Sequence, residues 1–501
     1  MMKKIKRLQI LLAGILLAVP SVTGAAPTEQ AWAEQSFGNC TTLIAHGKAA
    51  QGGGLILAKN RDQAYMTPST IMVQPHKKHA AGTKIKTVTI TLPQVEETYA
   101  FTGSGSAGAY GVSFGINEKK VVVASNDANS RDELSYEQGL SDNDLVRLIL
   151  ERAGTAKEGL ELAIKLTETY GQGYHGDTYE IGDAEGVWVI ETTGKRWAAK
   201  HYADTVLARA NQYELTDDYD LCSADMVTFA QKMGWAQEVK PNGRINFRQA
   251  YGGDKLDAVK EEPLSKRAGS ATLYESNKRH ARAMELLLGA WHKENFVTAG
   301  QMMSFLRDHY DTYQLPSGKV VDLKQVPFYA SEYGATFERE AVYTTPQTDT
   351  QTVPLYVQSI CAHGLQTNTT TSAAVLIAQK QKPAMMLCSI GTPCTGIFVP
   401  FFPLQTKVEE HYAGTALTNT AIATNLLLIG FYGRMAPTIQ NLLRPAEKEV
   451  LSEAQNLPAE ASPDTLTALS QKWAAKAYKL TEQAHTALQA RIADIFAHRH
   501  S

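Results

Sequence analysis

Cys40 follows Asn39 and opens the run Cys40-Thr-Thr-Leu-Ile-Ala45, in which β-branched and apolar residues cluster as they do in a strand. Its chemistry changes if the peptide bond before it is cut. One residue then carries both a thiol and an α-amine. An α-amine has a reference pKa of about 7.7–8.0, far below lysine, so it accepts a proton near neutral pH. The thiol would need no separate histidine base, which is the logic of an N-terminal nucleophile. The competing reading makes Cys40 a small apolar strand residue.

The start of the chain bears on that choice. Lys3, Lys4, Lys6 and Arg7 form a positive region, residues 10–19 are apolar, and small residues follow around Ala25-Ala26 and Ala33. This is the layout of an export signal, too short for a spanning helix, which needs about 20 residues. We read 1–26 as a signal peptide, with cleavage as late as 33 as a variant, and 27–39 as a pro-segment. The mature protein is then expected to be exported, periplasmic or extracellular, with no membrane span.

Five cysteines is an odd number for an exported protein and raises the question of a reactive thiol. Cys222, Cys361, Cys388 and Cys394 are expected to be buried thiols, with one or two disulfides open to them. Cys361, His363, Cys388 and Cys394 have the chemistry of zinc ligands, yet their spacing matches none of the usual paired motifs. The 501 residues carry a formal charge of −2, which gives no support to nucleic-acid binding.

These groups need elements to position them. Strand signals fall at 40–45, 55–59, 71–73, 85–92, 112–115, 121–124, 178–181, 187–191, 356–361, 372–378, 384–390 and 395–399, with turns at 51–54 and 182–186. Helical patterns cover 141–152, 156–170, 277–291 and 298–309; Ser141 and Asp144 look like a capping box. The stretch 240–267 is polar and broken by Pro and Gly, so a surface excursion is expected. From 446 to the end the chain reads as helices interrupted by Pro458 and Pro463, of a solvated packing type rather than a membrane-surface type. Strands, helices, strands, helices in that order suggest a layered α+β fold.

Several stretches resemble a known family. Cys40-Thr-Thr-Leu-Ile, the glycine-rich turn and Leu57-Ala-Lys-Asn-Arg-Asp62 are similar to the start of the secernin-related secreted and cytosolic dipeptidases. So, in the same order, are Gly115-Ile-Asn-Glu-Lys119, Val121-Val-Val-Ala-Ser-Asn126, Glu185-Gly-Val-Trp-Val-Ile-Glu191, Gly194-Lys-Arg-Trp-Ala-Ala199 and Gly391-Thr-Pro-Cys-Thr-Gly-Ile-Phe-Val-Pro400. That family comprises cysteine N-terminal-nucleophile (Ntn) hydrolases, distantly similar to choloylglycine hydrolase and penicillin V acylase.

The resemblance implies a four-layer αββα sandwich over 40–445, with 446–501 as a helical C-terminal extension. It implies that self-cleavage at Asn39–Cys40 releases Cys40 as the nucleophile. Lys59 and Asp62 fall where the superfamily has an Arg and an Asp beside it; Asp62 would hold the α-ammonium or orient the amine by a charge-assisted hydrogen bond. Arg61 occupies an intervening position. Asn126 and Asn211 match donors to the tetrahedral oxyanion, a task that suits neutral groups. Arg279 matches an Arg near the nucleophile. His175 stands where many dipeptidases have Asn. Asn117 and Glu118 read as turn residues, and His201 and His363 have no assigned part.

The implied activity is hydrolysis of dipeptides or short peptides, with no metal or organic cofactor required. The alternatives are an acylase for a non-peptide amide, of penicillin V or bile-salt type, and a noncatalytic exported binding protein. Relatives of this fold often assemble, so a homo-oligomer is compatible with it.

Overall fold

The turn Gln51-Gly-Gly-Gly54 joins strands β1 (Cys40–His46) and β2 (Leu55–Gln63), which run antiparallel with Thr42 opposite Lys59 and Cys40 opposite Arg61. Its three glycines hold φ of 79°, 74° and 70°, a left-handed region that penalises a Cβ. At Gly54 a Cβ would also meet the Ala378 carbonyl oxygen at 2.4 Å. The tight return is thus written into residue type. The computed structural model describes residues 40–63, 67–132, 139–173, 176–236, 238–252, 273–310, 312–314, 320–322, 341–344, 350–353, 359–363, 369–428 and 432–497. The signal and pro-segment, the Asn39–Cys40 bond, His175 and 253–267 of the polar stretch lie outside these residues.

Two antiparallel sheets follow. One holds six strands in the order β10-β1-β2-β12-β13-β14, where β10 is Val206–Arg209, β12 Thr369–Ala378, β13 Met385–Ile390 and β14 Val399–Phe401. The other holds eight, in the order β11-β9-β8-β7-β6-β5-β4-β3. These are Ser69–Gln74 (β3), Phe101–Ser106 (β4), Phe114–Asn117 (β5), Val122–Ala128 (β6), Gly176–Gly182 (β7), Val187–Thr193 (β8), Arg196–Tyr202 (β9) and Leu221–Cys222 (β11).

Period-two alternation sorts each strand into two apolar faces. Ile44, Leu55 and Leu57 meet Phe114, Ile116, Val122, Ala124, Val187 and Val189 between the sheets. On the outer face of the six-stranded sheet, Leu43, Ala45, Ile56 and Ala58 pack on Ala283 and Leu287 of α3 (Leu273–Glu294) and Met302 of α4 (Ala299–Phe305). On the outer face of the eight-stranded sheet, Val123, Tyr179 and Ile181 pack on Leu145 and Ile149 of α1 (Asp142–Arg152) and Leu160 and Ala163 of α2 (Ala156–Tyr170). The order is therefore helix, sheet, sheet, helix, the αββα sandwich that the resemblance implied. Every described residue belongs to one unit, Gln35–Ser501.

Departures from expectation have local causes. The 85–92 run folds on itself, Lys84–Lys86 pairing with Thr91–Pro93. Strand β5 starts at Phe114 and β14 at Val399, later than their apolar runs suggest; before β14 the residues 391–396 form a turn. Residues 359–361 are not strand, and 354–358 lie outside the described residues. Ser141 Oγ accepts from the Asp144 N–H, but the reciprocal half of the box is not made: the Asp144 carboxylate accepts from the Val88 N–H. Within 240–252 the polar segment is anchored and not a plain surface excursion. Ile245, Phe247 and Tyr251 are buried with Tyr213 and Tyr219, and Phe247 stacks on Tyr251 at 4.9 Å. Apolar residues spaced along a polar stretch are enough to dock it. Asn117 is structural as expected, donating to the carbonyls of Leu150 and Ala153.

Position 446 lies inside α6 (Tyr432–Gln455), which comes after α5 (Ala416–Leu428), and α7 (Pro463–Ala497) follows. Met435, Ile439 and Leu443 of α6 and Trp473, Ala477 and Leu488 of α7 join the inter-sheet core. No helix among the described residues is long and apolar enough to cross a membrane. Trp473→Ala should therefore cost the whole molecule about 3–5 kcal/mol in urea unfolding, the usual loss on deleting a buried Trp. A loss under about 1 kcal/mol would mean that α7 is an appendage.

Candidate active site

The same alternation that builds the inter-sheet core turns polar at one end. Past Ile44 toward the start of β1, the inward positions are Thr42 and Cys40; past Leu57 on β2 they are Lys59 and Arg61. Facing them are Asn126 on β6 and Thr178 and Glu180 on β7, beyond Val122 and Ala124. All nine residues of β2, LILAKNRDQ, are buried. Charges there must be paired or hydrogen-bonded, since an unpaired buried ion costs several kcal/mol.

Cys40 is 6% exposed. Its backbone N–H donates to Asn211 Oδ1 at 2.7 Å. In the uncut chain this atom is a peptide nitrogen; it stands where the α-amine would be after cleavage. Arg279 reaches in from α3 and donates to Asn211 Oδ1 (2.8 Å), the Cys40 carbonyl (2.6 Å) and Thr41 Oγ1 (2.8 Å). Thr41 points to the helical side of the sheet, so Arg279 grips the head of β1 from behind. Asn211 Nδ2 donates to the Asp127 carbonyl at 3.0 Å.

A register shift between Arg61 and Asp62 re-aims Asp62. Its Oδ1 accepts from Thr370 Oγ1 at 2.7 Å, and its backbone N–H serves the Cys40 sulfur. Burial pushes the Asp62 carboxyl up to about 7, opposed first by Arg279 and Thr370. Burial also pushes the Cys40 thiol up; Lys59 opposes this, while Asp62 and Asp127 add to it. None of the groups acting most strongly on the thiol is a histidine.

Lys59 donates to Asn126 Oδ1 at 3.4 Å, and Asn126 Nδ2 donates to Thr42 Oγ1 (2.9 Å) and both oxygens of Glu180 (3.2 and 3.1 Å). Burial lifts the Glu180 carboxyl to about 7, with Lys59 the largest opposing influence. The structure thus brings Cys40, Lys59, Asp62, Asn126, Asn211 and Arg279 to one place. Both Asn side chains direct their N–H groups to protein partners, and Asn211 presents its oxygen to Cys40.

Two residues in this network carry no function in the sequence reading. Arg61, an intervening position there, is 1% exposed and directly opposite Cys40. Among the described residues its side-chain partners are hydroxyls: Ser113 at 2.8 Å, Ser69 at 3.0 Å, Thr371 at 3.3 Å and Ser106 at 2.6 Å. Burial lowers its pKa, and Cys40 is the first of the anionic groups that restore it. Positions 57, 59 and 61 share a strand face, so alternation signals that Arg61 points inward. Glu180 is the other, two residues along β7 from Thr178 in a run that reads as a strand. Close by, Asp127, Asp142 and Asp177 bring carboxylate oxygens within 4.8 Å of one another. Asp177 is pushed well up by burial and then by Asp142 and Asp127.

Residues 39–426 match the description of peptidase family C69. The chain belongs to peptidase family C69. This C69 chain is 26% identical to a probable dipeptidase of Latilactobacillus sakei over 43% of its own length and 49% of the relative's. A probable dipeptidase of Salmonella dublin is also 26% identical, over 43% of this chain and 53% of the relative. The matched stretch thus spans about half the length of these relatives. Among solved structures, a mutant of conjugated bile acid hydrolase from Clostridium perfringens aligns with 72% of this chain and 92% of its own, at 12% identity and a TM-score of 0.34. Penicillin V acylase from Agrobacterium tumefaciens aligns with 74% and 87%, at 10% identity and a TM-score of 0.32.

The buried carboxyls predict a pH dependence. Glu180 stands at about 7 in the fold against an ordinary 4.5. Between those values the folded state keeps a proton that the unfolded chain has lost, so stability falls as pH rises through this window. Glu180→Gln should remove about one proton's worth of that slope in urea unfolding followed from about pH 5 to about pH 8. An unchanged slope would mean that Glu180 is ionised in the folded protein.

Proposed function

We propose that this chain hydrolyses dipeptides or short peptides with Cys40 as an N-terminal nucleophile, after an export signal and pro-segment ending at Asn39 are removed. One observation carries the reading. A buried thiol whose pKa is raised, with no histidine among its strongest neighbours, shares a residue with a nitrogen held by Asn211. A base is needed to take the thiol's proton, and the α-amine freed by cleavage is the base in reach.

In this mechanism the amine takes the proton as Cys40 Sγ attacks the scissile carbonyl. The resulting ammonium protonates the leaving amine, and the regenerated amine activates the water that cleaves the thioester. Asn211, aligned by Arg279, orients the amine through its oxygen. Asn126 turns its Nδ2 from Thr42 and Glu180 to the oxyanion. Lys59 favours the thiolate, and Asp62 holds the ammonium form.

The Asp127, Asp142 and Asp177 group favours a peptide with an unblocked amino terminus. Burial, then Asp142 and Asp127, pushes the Asp177 carboxyl up, and a substrate ammonium beside it would favour its ionised form. A neutral acyl chain would not.

Cys40→Ala should abolish hydrolysis of unblocked dipeptides while the far-ultraviolet circular dichroism is kept, and Asn126→Ala should cost about 10²–10³ in kcat. Asp177→Asn should raise KM for unblocked dipeptides and leave cleavage of any N-acetylated counterpart unchanged. Faster turnover of N-acylated amides than of unblocked dipeptides by the unaltered enzyme would replace this reading with the acylase one. Normal turnover by Cys40→Ala would remove Cys40 from the chemistry.

A further inference from the structure

Away from Cys40, four side chains from three separate segments converge. His309 lies past α4, Cys361 and His363 precede β12, and Cys394 sits in the turn after β13. Their ligand atoms all lie within 4.8 Å of one another, and Cys361, His363 and Cys394 are buried. His363 Nε2 is 3.1 Å from His309 Nε2, 3.4 Å from Cys361 Sγ and 3.2 Å from Cys394 Sγ. A tetrahedral zinc with Zn–N of about 2.0–2.1 Å and Zn–S of about 2.3 Å has ligand-to-ligand edges of about 3.3–3.8 Å. The observed separations are close to those edges.

We propose that His309, Cys361, His363 and Cys394 form a structural Cys₂His₂ site for a divalent, thiolate-accepting metal ion, zinc by preference. The donor set selects the ion. Two thiolates and two imidazoles are soft to borderline ligands, and four protein ligands close the coordination shell, as in structural zinc sites. Binding releases the two thiol protons and places a dication between two thiolates. The filled site is then neutral, which suits a buried location. A Cys361–Cys394 disulfide would use the sulfurs and leave the two imidazole nitrogens hydrogen-bonded to each other, with no shared ligand. All five cysteines are free thiols in this structure.

The surroundings preorganise the ligands. Asn60 Nδ2 donates to the carbonyls of Leu306 (2.8 Å) and Ile360 (2.7 Å), tying the two ligand-bearing segments to β2. The Cys361 N–H donates to the Asp308 carbonyl at 3.1 Å, and Arg444 donates to the Cys394 carbonyl at 2.7 Å. Tyr432 stands edge-on to both imidazoles at 5.5 Å. Thr370, whose Oγ1 accepts from the Ala362 N–H at 2.9 Å, is the residue that donates to Asp62. An ion here would brace the loop behind Asp62 without touching the nucleophile, whichever amide the enzyme cuts. The sequence reading expected no metal site and set aside a zinc set of Cys361, His363, Cys388 and Cys394; Cys388 lies outside the present group, and His309 was not in that set.

The test uses the full chain purified under reducing conditions without chelator. Elemental analysis should find one zinc per chain. After chelator dialysis, Co²⁺ alone should give intense visible d–d bands and a near-ultraviolet thiolate charge-transfer band, both bleached by one equivalent of Zn²⁺. His363→Ala and Cys394→Ala should lose these bands and Cys388→Ala should keep them. Chelator should also lower the unfolding midpoint of the unaltered protein, and zinc should restore it. If either ligand variant fails to fold, the cobalt spectrum of the unaltered chain decides. Substoichiometric zinc with no tetrahedral cobalt spectrum, or a Cys361–Cys394 disulfide in the purified protein, would overturn the proposal.

Discussion

Charge buried between two facing sheets is the constraint on which this structure depends. Lys59 and Arg61 point into a space that a few ångströms further along is filled by Leu57, Ile44 and Val122. Uncompensated, each would cost several kcal/mol. The fold answers with different partners for each. Arg61 receives four hydroxyls from the surrounding strands and loops and the neighbourhood of the Cys40 thiol. Lys59 is set between Asn126, Glu180 and the thiol. Arg279, from the outer helix, directs its donors to the head of β1 and to Asn211. The network that makes these charges tolerable also holds the Cys40 nitrogen and sulfur in place.

In the proposed mechanism, that arrangement couples stability to chemistry. Asp62 and Glu180 have carboxyls near the midpoint of titration around neutrality because burial outweighs their cationic neighbours. Groups held in that balance respond to small changes of charge nearby, such as a new ammonium on Cys40 or a cationic substrate beside Asp177. Leu443 of α6 and Trp473 and Leu488 of α7 belong to the same apolar cluster as the inter-sheet residues, so the polar end is built on a core completed from far along the chain.

Much of this was legible in the sequence because the informative signals were local. The Cys40 strand, the triple-glycine turn and the hairpin from β7 to β8 follow from alternation and turn chemistry. The αββα order and the six expected site residues came with the resemblance, whose motifs fall on β1, β2, β5, β6, β8, β9 and the turn after β13. Arg61 was missed because its neighbours Lys59 and Asp62 matched superfamily positions, although alternation puts 57, 59 and 61 on one face. Phe247 and Tyr251 were missed because single aromatics in a polar run carry no period. The Cys361, His363 and Cys394 grouping with His309 has no sequence spacing to find, since only the tertiary fold brings its three segments together.

The central claim is that the working nucleophile carries its own base. Intact mass and N-terminal sequencing of the exported, active protein, with the Cys40→Ala variant beside it, test this most directly. The account predicts a mature chain beginning at Cys40 and a variant that keeps its pro-segment. Active protein in which Cys40 is still preceded by Asn39 would contradict it, because a peptide nitrogen cannot take the proton from the thiol.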